Sequence, residues 1–168
     1  TAVSESTLRS LYGSTITAMR AAQSNGTIIV FASGNDSRSE VDSWGGSPYR
    51  ISELVNEWLV VGAVSTSGVE ASFNNRCGVA KAFCVVAPGV SIYAAQANGT
   101  YTSMNGTSMA TSHVSGLAAA LAEKFPSLTA AQIVTRIKNG ASHTGLTGRG
   151  GETTSNRTTA QLQAIFGH

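Results

Sequence analysis

Residues 105–116 read Asn-Gly-Thr-Ser-Met-Ala-Thr-Ser-His-Val-Ser-Gly, with Ser108 set among small residues at the start of an apolar stretch. Gly106 allows the backbone to turn sharply, and Thr107 and Ser108 are residue types that cap helices. We therefore expect the Ser108 hydroxyl at a helix N-terminus, where unpaired N–H groups favour developing negative charge. The nearly uncharged pattern from Met109 to Leu121 predicts a fully buried central helix.

A second polar turn follows an apolar segment. Residues 27–32 read Thr-Ile-Ile-Val-Phe-Ala, a continuous β-branched run that is typical of a buried parallel strand. The run ends at Ser33-Gly34-Asn35, which predicts Asn35 at the carboxyl end of a strand, where α/β sheets bind ligands. Taken alone, an asparagine in this position is more often part of an ordinary polar turn.

Together the two segments resemble the subtilisin-like serine proteases, the subtilases. The string from Asn105 to Ala110, followed by His113-Val-Ser-Gly, is similar to the segment that carries the nucleophile of that family. The segment Ala-Ser-Gly-Asn that ends at Asn35 precedes it, in the order found in the family. Ser112 stands where the family usually has proline, and this change weakens no catalytic argument because both residues are tolerated early in a helix.

The resemblance implies a fold, an activity and a set of site residues. The fold is three-layer α/β, with a parallel sheet and a buried central helix. The activity is that of a serine endopeptidase acting on polypeptides, with Ser108 as nucleophile. The side-chain amide of Asn35 and the Ser108 N–H form the oxyanion hole. The strand end Ala32, Ser33 and Gly34 forms one wall of the substrate pocket.

No cofactor is assigned from the sequence. Members of the family often bind calcium, but the chain shows no Asp-rich loop that would supply oxygen ligands.

The base that the serine needs is not evident. A serine hydroxyl requires a histidine that a carboxylate orients, and subtilases carry these groups in the order Asp, His, Ser. The aspartates are Asp36 and Asp42, and the histidines are His113, His143 and His168. The resemblance assigns His113 to helix packing, while His143 lies in a polar loop and His168 is the last residue, which we expect to fray.

Residues 1–168 are therefore predicted to be the C-terminal part of a subtilase catalytic domain. A separate N-terminal polypeptide of the same protease is expected to supply the missing aspartate and histidine. Thr1–Ser6 is small and polar, which predicts an exposed loop where a proteolytic cut is tolerated.

Three alternatives are weighed. An α/β-hydrolase is disfavoured because Ala110 replaces the second glycine of Gly-x-Ser-x-Gly and no aspartate follows Ser108. An inactive fragment or pseudoenzyme that acts as a binding module stays open. A self-contained triad would combine Asp36 or Asp42 with His143.

Cys77 and Cys84 are either two buried thiols or a disulfide. The bridge is favoured because the residues between them read as a short irregular loop that it would close. Without further cysteine ligands, the pair argues against a zinc site. Residues 72–89 also resemble the subtilases found as bacterial autotransporter passengers, which implies an oxidising extracellular setting.

Composition indicates a secreted enzyme. Only 12% of the residues are charged and the net charge is +2 without a basic run, which disfavours a nucleic-acid partner. The longest apolar stretch, Val114 to Leu121, is shorter than the roughly 20 residues that span a bilayer, so no membrane insertion is expected. A glycan on the sequons at Asn35 or Asn105 would cover the candidate site, which favours a bacterial source.

Other patterns predict the remaining elements. The expected features are an amphipathic helix from Leu8 to about Asn25, a surface excursion at 40–57, a buried strand at 58–64, a helix capped by Thr129, an exposed loop at 145–159 and a short last helix at 159–165.

Overall fold

A three-stranded parallel sheet lies between two helical layers in the computed structural model, which describes residues 4–168. The helices are α1 (Glu5–Ser24), α2 (Thr107–Lys124), α3 (Ala130–Gly140) and α4 (Thr159–Phe166). The strands are β1 (Ile29–Ala32), β2 (Trp58–Val64), β3 (Cys84–Pro88), β4 (Ile92–Ala95) and β5 (Tyr101–Met104). The prediction of a three-layer α/β fold is confirmed.

The central strand β2 is buried at every position. It pairs in parallel with β1 on one side and β3 on the other. Because side chains alternate along a strand, Leu59 and Val61 pack with α2 and α3, whereas Trp58 and Val60 pack towards α1. The predicted strand at 58–64 is confirmed, and the run at 27–32 forms a strand only from Ile29 onwards.

Helix α2 is buried on one face only, so the prediction of a fully buried helix is wrong for the described part of the chain. Ala110, Val114 and Ala118 pack against the sheet. The opposite face is exposed and includes Leu117, at 48% exposure. A lack of charge all round a helix indicates that every face tolerates burial, but burial also requires a covering layer, and residues 4–168 place none there.

Helix α1 begins earlier than expected. Ser4 caps it by accepting a hydrogen bond from the N–H of Thr7, so Glu5 and Ser6 are helical rather than part of a loop. The rest of the predicted loop, residues 1–3, lies outside the described residues. Gly26, with a φ of +80°, follows the helix end.

The segment 40–57 is not the surface excursion that its charges suggested. Ile51 and Leu54 are almost completely buried and belong to the core on the α1 side of the sheet. The charged residues lie between such apolar positions, and Glu53 forms ion pairs with Arg9 and Arg20 of α1. The charged residues of this segment therefore gave no indication that two short 3₁₀ turns in it are partly buried.

The C-terminal elements follow their local signals. Thr129 forms the predicted capping box with Gln132 at the start of α3. Helix α4 is capped in the same way and buries three apolar side chains, including Phe166, next to Val64. His168 does not fray as expected, because its N–H donates to the carbonyl of Cys84 at 2.8 Å.

The predicted bridge between Cys77 and Cys84 is present. Both cysteines are fully buried, and the bridge closes the 3₁₀ turn that leads into β3. Along residues 4–168, none of the helices combines the length and apolar character needed to cross a lipid bilayer.

Candidate active site

The start of α2 and the end of β1 meet at the candidate site. Thr107 donates from both its N–H and its Oγ1 to the Oδ1 of Asn35, each at 2.9 Å. Thr107 and Ser108 are thus the first two helical residues rather than caps, and Gly106 is the N-cap without a side-chain bond. The Thr107 hydroxyl, expected to cap the helix, instead orients an amide from the neighbouring strand end.

Two N–H donors remain free beside Gly106. Within residues 4–168, neither the Nδ2 of Asn35 nor the backbone N–H of Ser108 has a hydrogen-bond acceptor. A carbon atom placed on Gly106 as a Cβ would lie 3.7 Å from Ser108 N and 3.8 Å from Asn35 Nδ2. Both donors therefore border the same small space, next to the exposed Ser108 side chain.

A close backbone contact fixes where this helix start lies. The N–H of Gly106 donates to the carbonyl of Gly89 at 2.9 Å. A Cβ on Gly89 would come within 2.7 Å of the Gly106 carbonyl and 2.8 Å of Ala63, so only glycine fits. The role of Gly89 was not predicted, although the Pro-Gly pair after an apolar run is a detectable turn signal.

The expected pocket wall continues β1 into a tight turn. Ser33 extends the strand pairing by donating its N–H to the carbonyl of Val61 at 2.9 Å. Gly34 has a φ of +109°, and a side chain there would collide with Asn75 and the Asp42 carboxylate. Ser33 and Gly34 are buried, Ala32 is half-buried and Asn35 is exposed. The turn thus presents Asn35 outwards while its preceding residues stay packed.

Sequence reasoning missed the buried amides behind this turn. Asn74 and Asn75 are both fully buried, and each forms several hydrogen bonds. A pair of asparagines after an apolar residue gave only a weak signal, because asparagine is far commoner in exposed turns.

A charged cluster links the C-terminal loop to the same region. The side chain of Glu70 is fully buried and forms ion pairs with Arg76 at 2.9 Å and Arg149 at 3.5 Å. The hydrogen bonds with Glu70 raise the pKa of Arg76 above its ordinary value. Arg149 also donates to the carbonyl of Ser37 at 2.9 Å, two residues after Asn35. The loop at 145–159 is therefore partly anchored, although most of it is exposed as predicted.

The histidines of the chain do not reach the serine. His143 Nε2 bonds to the carbonyl of Gly167 at 2.9 Å, and Asp42 interacts with Asn75 and Arg38. The self-contained triad is therefore not assembled. His113 lies exposed on α2 with its Nδ1 3.0 Å from the carbonyl oxygen of Met109, so the packing role expected for it is not met by residues 4–168.

Known proteins share both the sequence pattern and the fold. The sequence profile described as Peptidase S8, subtilase family, matches residues 2–168. Subtilisin DY of Bacillus licheniformis is 38% identical over 124 residues, which are 74% of this chain and 43% of that protein. The extracellular serine protease of Serratia marcescens is 31% identical over 155 residues, which are 79% of this chain and 15% of that protein.

Solved structures agree. A cold-adapted subtilisin-like serine proteinase matches with a TM-score of 0.65 and 29% identity, over 82% of this chain and 46% of that chain. The prenylagaramide maturation protease PagA matches with a TM-score of 0.66 and 26% identity, over 76% of this chain and 44% of that chain. The chain thus spans less than half the length of each of these relatives. The profile match over nearly all residues and the parallel α/β fold show that this protein belongs to the subtilase family, of whose catalytic fold it covers the C-terminal part.

Proposed function

We propose that this chain is the nucleophile-bearing part of a serine endopeptidase that cleaves polypeptides through an acyl-enzyme on Ser108. The observation that carries the proposal is the pair of unoccupied donors, Asn35 Nδ2 and Ser108 N–H, beside the exposed hydroxyl-bearing residue. Such donors stabilise the oxyanion that forms when a hydroxyl attacks a carbonyl carbon.

The orientation of Asn35 supports its role as an oxyanion donor. Its Oδ1 accepts two hydrogen bonds from Thr107, which fixes which end of the amide faces the helix. The Nδ2 is therefore left as the outward group, and it can donate to an oxyanion without first breaking another bond. Preorganisation of this kind costs no reorganisation when charge develops in the transition state.

The proposed reaction has two steps. The Ser108 Oγ bonds to the scissile carbonyl carbon while its proton passes to a histidine, and the histidine then gives this proton to the leaving amine as the C–N bond breaks. In the second step the histidine takes a proton from water, the water oxygen bonds to the acyl carbon, and the histidine gives the proton back to Ser108 Oγ as the ester bond breaks. Ala32, Ser33 and Gly34 would contact the substrate side chain that precedes the cleaved bond.

We further propose that a separate N-terminal polypeptide of the same protease supplies this histidine and its aspartate. The exposed face of α2 and the outer edge of β1 support this, because among the described residues β1 pairs with β2 alone. An unpaired strand edge and an uncharged helix face are surfaces that a folded protein usually covers. A polypeptide that adds strands beyond β1 and packs a further layer against α2 would cover both.

A secreted or cell-surface location in a bacterium fits this proposal. The disulfide favours an oxidising compartment, and a relative from Serratia marcescens is described as an extracellular serine protease. Membership of the autotransporter-type branch is proposed on the resemblance of residues 72–89 alone.

Labelling with a fluorophosphonate tests the function. The protease containing this chain and its N-terminal polypeptide should be labelled on Ser108, because only a serine activated by a base reacts quickly. Ser108→Ala should lose both labelling and peptidase activity without unfolding. Ser115→Ala is the matched control, since Ser115 is an exposed serine on the same helix whose hydroxyl donates only to Thr111 O.

The same experiment distinguishes an active protease from an inactive pseudoenzyme. A folded two-part protein whose wild-type form takes no label and cleaves no peptide would identify a pseudoenzyme that acts as a binding module. Labelling at a serine other than Ser108 would refute the assignment of the nucleophile while leaving the enzyme class intact.

A further inference from the structure

We propose that Asn75 is a positioning residue for Asn35: it fixes the backbone turn that carries the oxyanion donor without contacting the substrate. This inference rests on the proposed function of Asn35. Asn75 is fully buried, at 0% exposure, and its side chain has one amide oxygen and one amide nitrogen. Both atoms are engaged by the turn or by a residue packed against it.

The oxygen of Asn75 holds the chain after Asn35. Its Oδ1 accepts hydrogen bonds from the N–H of Asp36 at 3.0 Å and from the N–H of Arg38 at 2.9 Å. These two N–H groups lie outside any strand or helix, so the amide oxygen replaces the partners that regular structure would supply. Removing this oxygen would leave two backbone donors without an acceptor immediately beside the oxyanion residue.

The nitrogen and the backbone of Asn75 hold the chain before Asn35. Nδ2 donates to the carbonyl of Ser33 at 3.2 Å and to Asp42 Oδ1 at 3.2 Å. The backbone N–H donates to the carbonyl of Gly34 at 3.0 Å. One residue thus bonds to both sides of Asn35, and a shift of the turn in either direction would break bonds to it.

The turn needs such external support because its backbone is unfavourable. Gly34 has a φ of +109° and Ser37 has a φ of +59°, so one residue before Asn35 and one residue after it have a positive φ. A non-glycine residue adopts that conformation only when surrounding contacts impose it. Besides the bonds to Asn75, the backbone carbonyl of Phe73 holds the turn by accepting the Ser37 N–H at 2.9 Å.

Thr107 and Asn75 act on different parts of Asn35. Thr107 fixes the orientation of its side chain and Asn75 fixes the backbone from which that side chain projects. If the backbone turn relaxes, Nδ2 moves even when the Thr107 bonds survive. A displacement of about 1 Å in a reacting group costs about 10²-fold in rate, which sets the scale of the effect.

The adjacent Asn74 provides a matched control. It is equally buried, but its Oδ1 accepts from Ala63 N at 2.9 Å and from Ser33 Oγ at 3.2 Å, and its Nδ2 donates to Glu70. None of these groups belongs to residues 34–38, and the Ser33 backbone remains tied to β2 by its own N–H. Loss of the Asn74 amide should thus destabilise the fold without moving the turn.

The test compares the two asparagines in the assembled protease, with its N-terminal polypeptide present and well below the melting temperature. Asn75→Ala should lower kcat by about 10- to 100-fold while KM for a peptide substrate changes by less than about twofold. Asn74→Ala should lower the melting temperature and leave kcat within about threefold of the wild type. The double variant Asp42→Asn/Asn75→Asp keeps the oxygen for Asp36 and Arg38 without setting two carboxylates against each other, and it should recover part of the lost kcat.

A double-mutant cycle identifies the route of the effect. If Asn75 acts through Asn35, adding Asn75→Ala to Asn35→Ala should change kcat by less than about twofold. An equal loss in both backgrounds would overturn the proposal in favour of a general structural role, as would an unchanged kcat in Asn75→Ala alone. If Asn75→Ala does not fold, Asn75→Ser and Asn74→Ser are compared in the same cycle, since a small hydroxyl adds no charge beside Asp42 or Glu70. A wild-type protease that takes no fluorophosphonate label would overturn the proposed function, and this inference with it.

Discussion

Amide side chains form the hydrogen bonds that hold the turn at this site. Asn35 receives two bonds from Thr107, while Asn74 and Asn75 are buried and fully bonded behind it. Buried amides of this kind are costly unless every polar atom finds a partner, and the exception in the described residues is the Oε1 of Gln23, near the C-terminal end of α1. The unpartnered Nδ2 of Asn35 is different because it is exposed, so leaving it free carries little cost.

Replacement of Asn35 by alanine should lower turnover far more than substrate affinity. Its Nδ2 would bond only to the transition state, so kcat should fall by about 10²–10³, a magnitude established for an oxyanion-hole asparagine in subtilisin and carried over here. Steady-state kinetics of the assembled protease with a peptide substrate measure both parameters. Asn98→Ala, in the exposed tip between β4 and β5, is the control. A raised KM with kcat unchanged would contradict the oxyanion role.

Helices and strands follow mostly from local signals. The capping box at Thr129 starts α3, and the continuous apolar run from Trp58 to Val64 forms the central strand. The disulfide adds an estimated stabilisation of about 2–3 kcal/mol in the chain-entropy description of so short a loop. It also lies under α4, because the N–H of Cys77 donates to the carbonyl of Ile165 at 3.2 Å.

The docking of the last helix should weaken in mild acid. Burial lowers the pKa of His168 below its ordinary value of 6.5, and the nearby charge of Lys138 lowers it further. The unfolded chain then binds this proton more readily than the folded chain does. The resulting contribution to stability is present above pH 6.5 and is lost as the pH falls through the lower folded-state pKa.

Urea unfolding of the inactive Ser108→Ala protease at a series of pH values measures this effect. The decline in the free energy of unfolding below pH 6.5 should be shallower in His168→Gln than in its parent. Asn98→Ala, which changes a residue without a titratable side chain in the exposed tip between β4 and β5, is the control and should leave the slope as it was. Identical slopes in all three proteins would refute a role for His168.

In the molecule as a whole, the described residues leave a helix face and a strand edge uncovered. Helix α2 exposes the face that contains His113 and Leu117, and β1 has an unpaired outer edge among the described residues. Elsewhere, the Glu70 cluster ties the C-terminal loop to the segment after Asn35 through Arg149. The face of α2 and the edge of β1 are therefore available to a second polypeptide.

This chain purified alone is expected to expose these two surfaces and to aggregate, whereas a preparation that retains the N-terminal polypeptide should elute as one two-chain species. The reason is the apolar area at α2 and the free edge of β1. Gel filtration with intact-mass spectrometry measures the composition, and peptide hydrolysis measures activity before and after denaturing separation. Full activity from the 168-residue chain alone would contradict the two-part protease.

The sequence by itself determined the local features of this protein. Periodicity and caps predicted β2, α3 and α4, because each depends on residues within one element and its flanks. The bridge between Cys77 and Cys84 was predictable for the same reason, since the two cysteines lie seven positions apart. The candidate residues Ser108 and Asn35 were found by their resemblance to a family, and their roles remain proposals.

Tertiary structure alone decided how those residues are held. The partners of Asn75 lie 33 to 42 positions away in sequence, and Thr107 and Asn35 are separated by 72 positions. No local pattern reports such pairings, because asparagine and threonine look the same in an exposed turn as in a buried network. The exposed face of α2 was equally hidden, since composition shows which faces tolerate burial, and only the packing of other elements determines which face is buried.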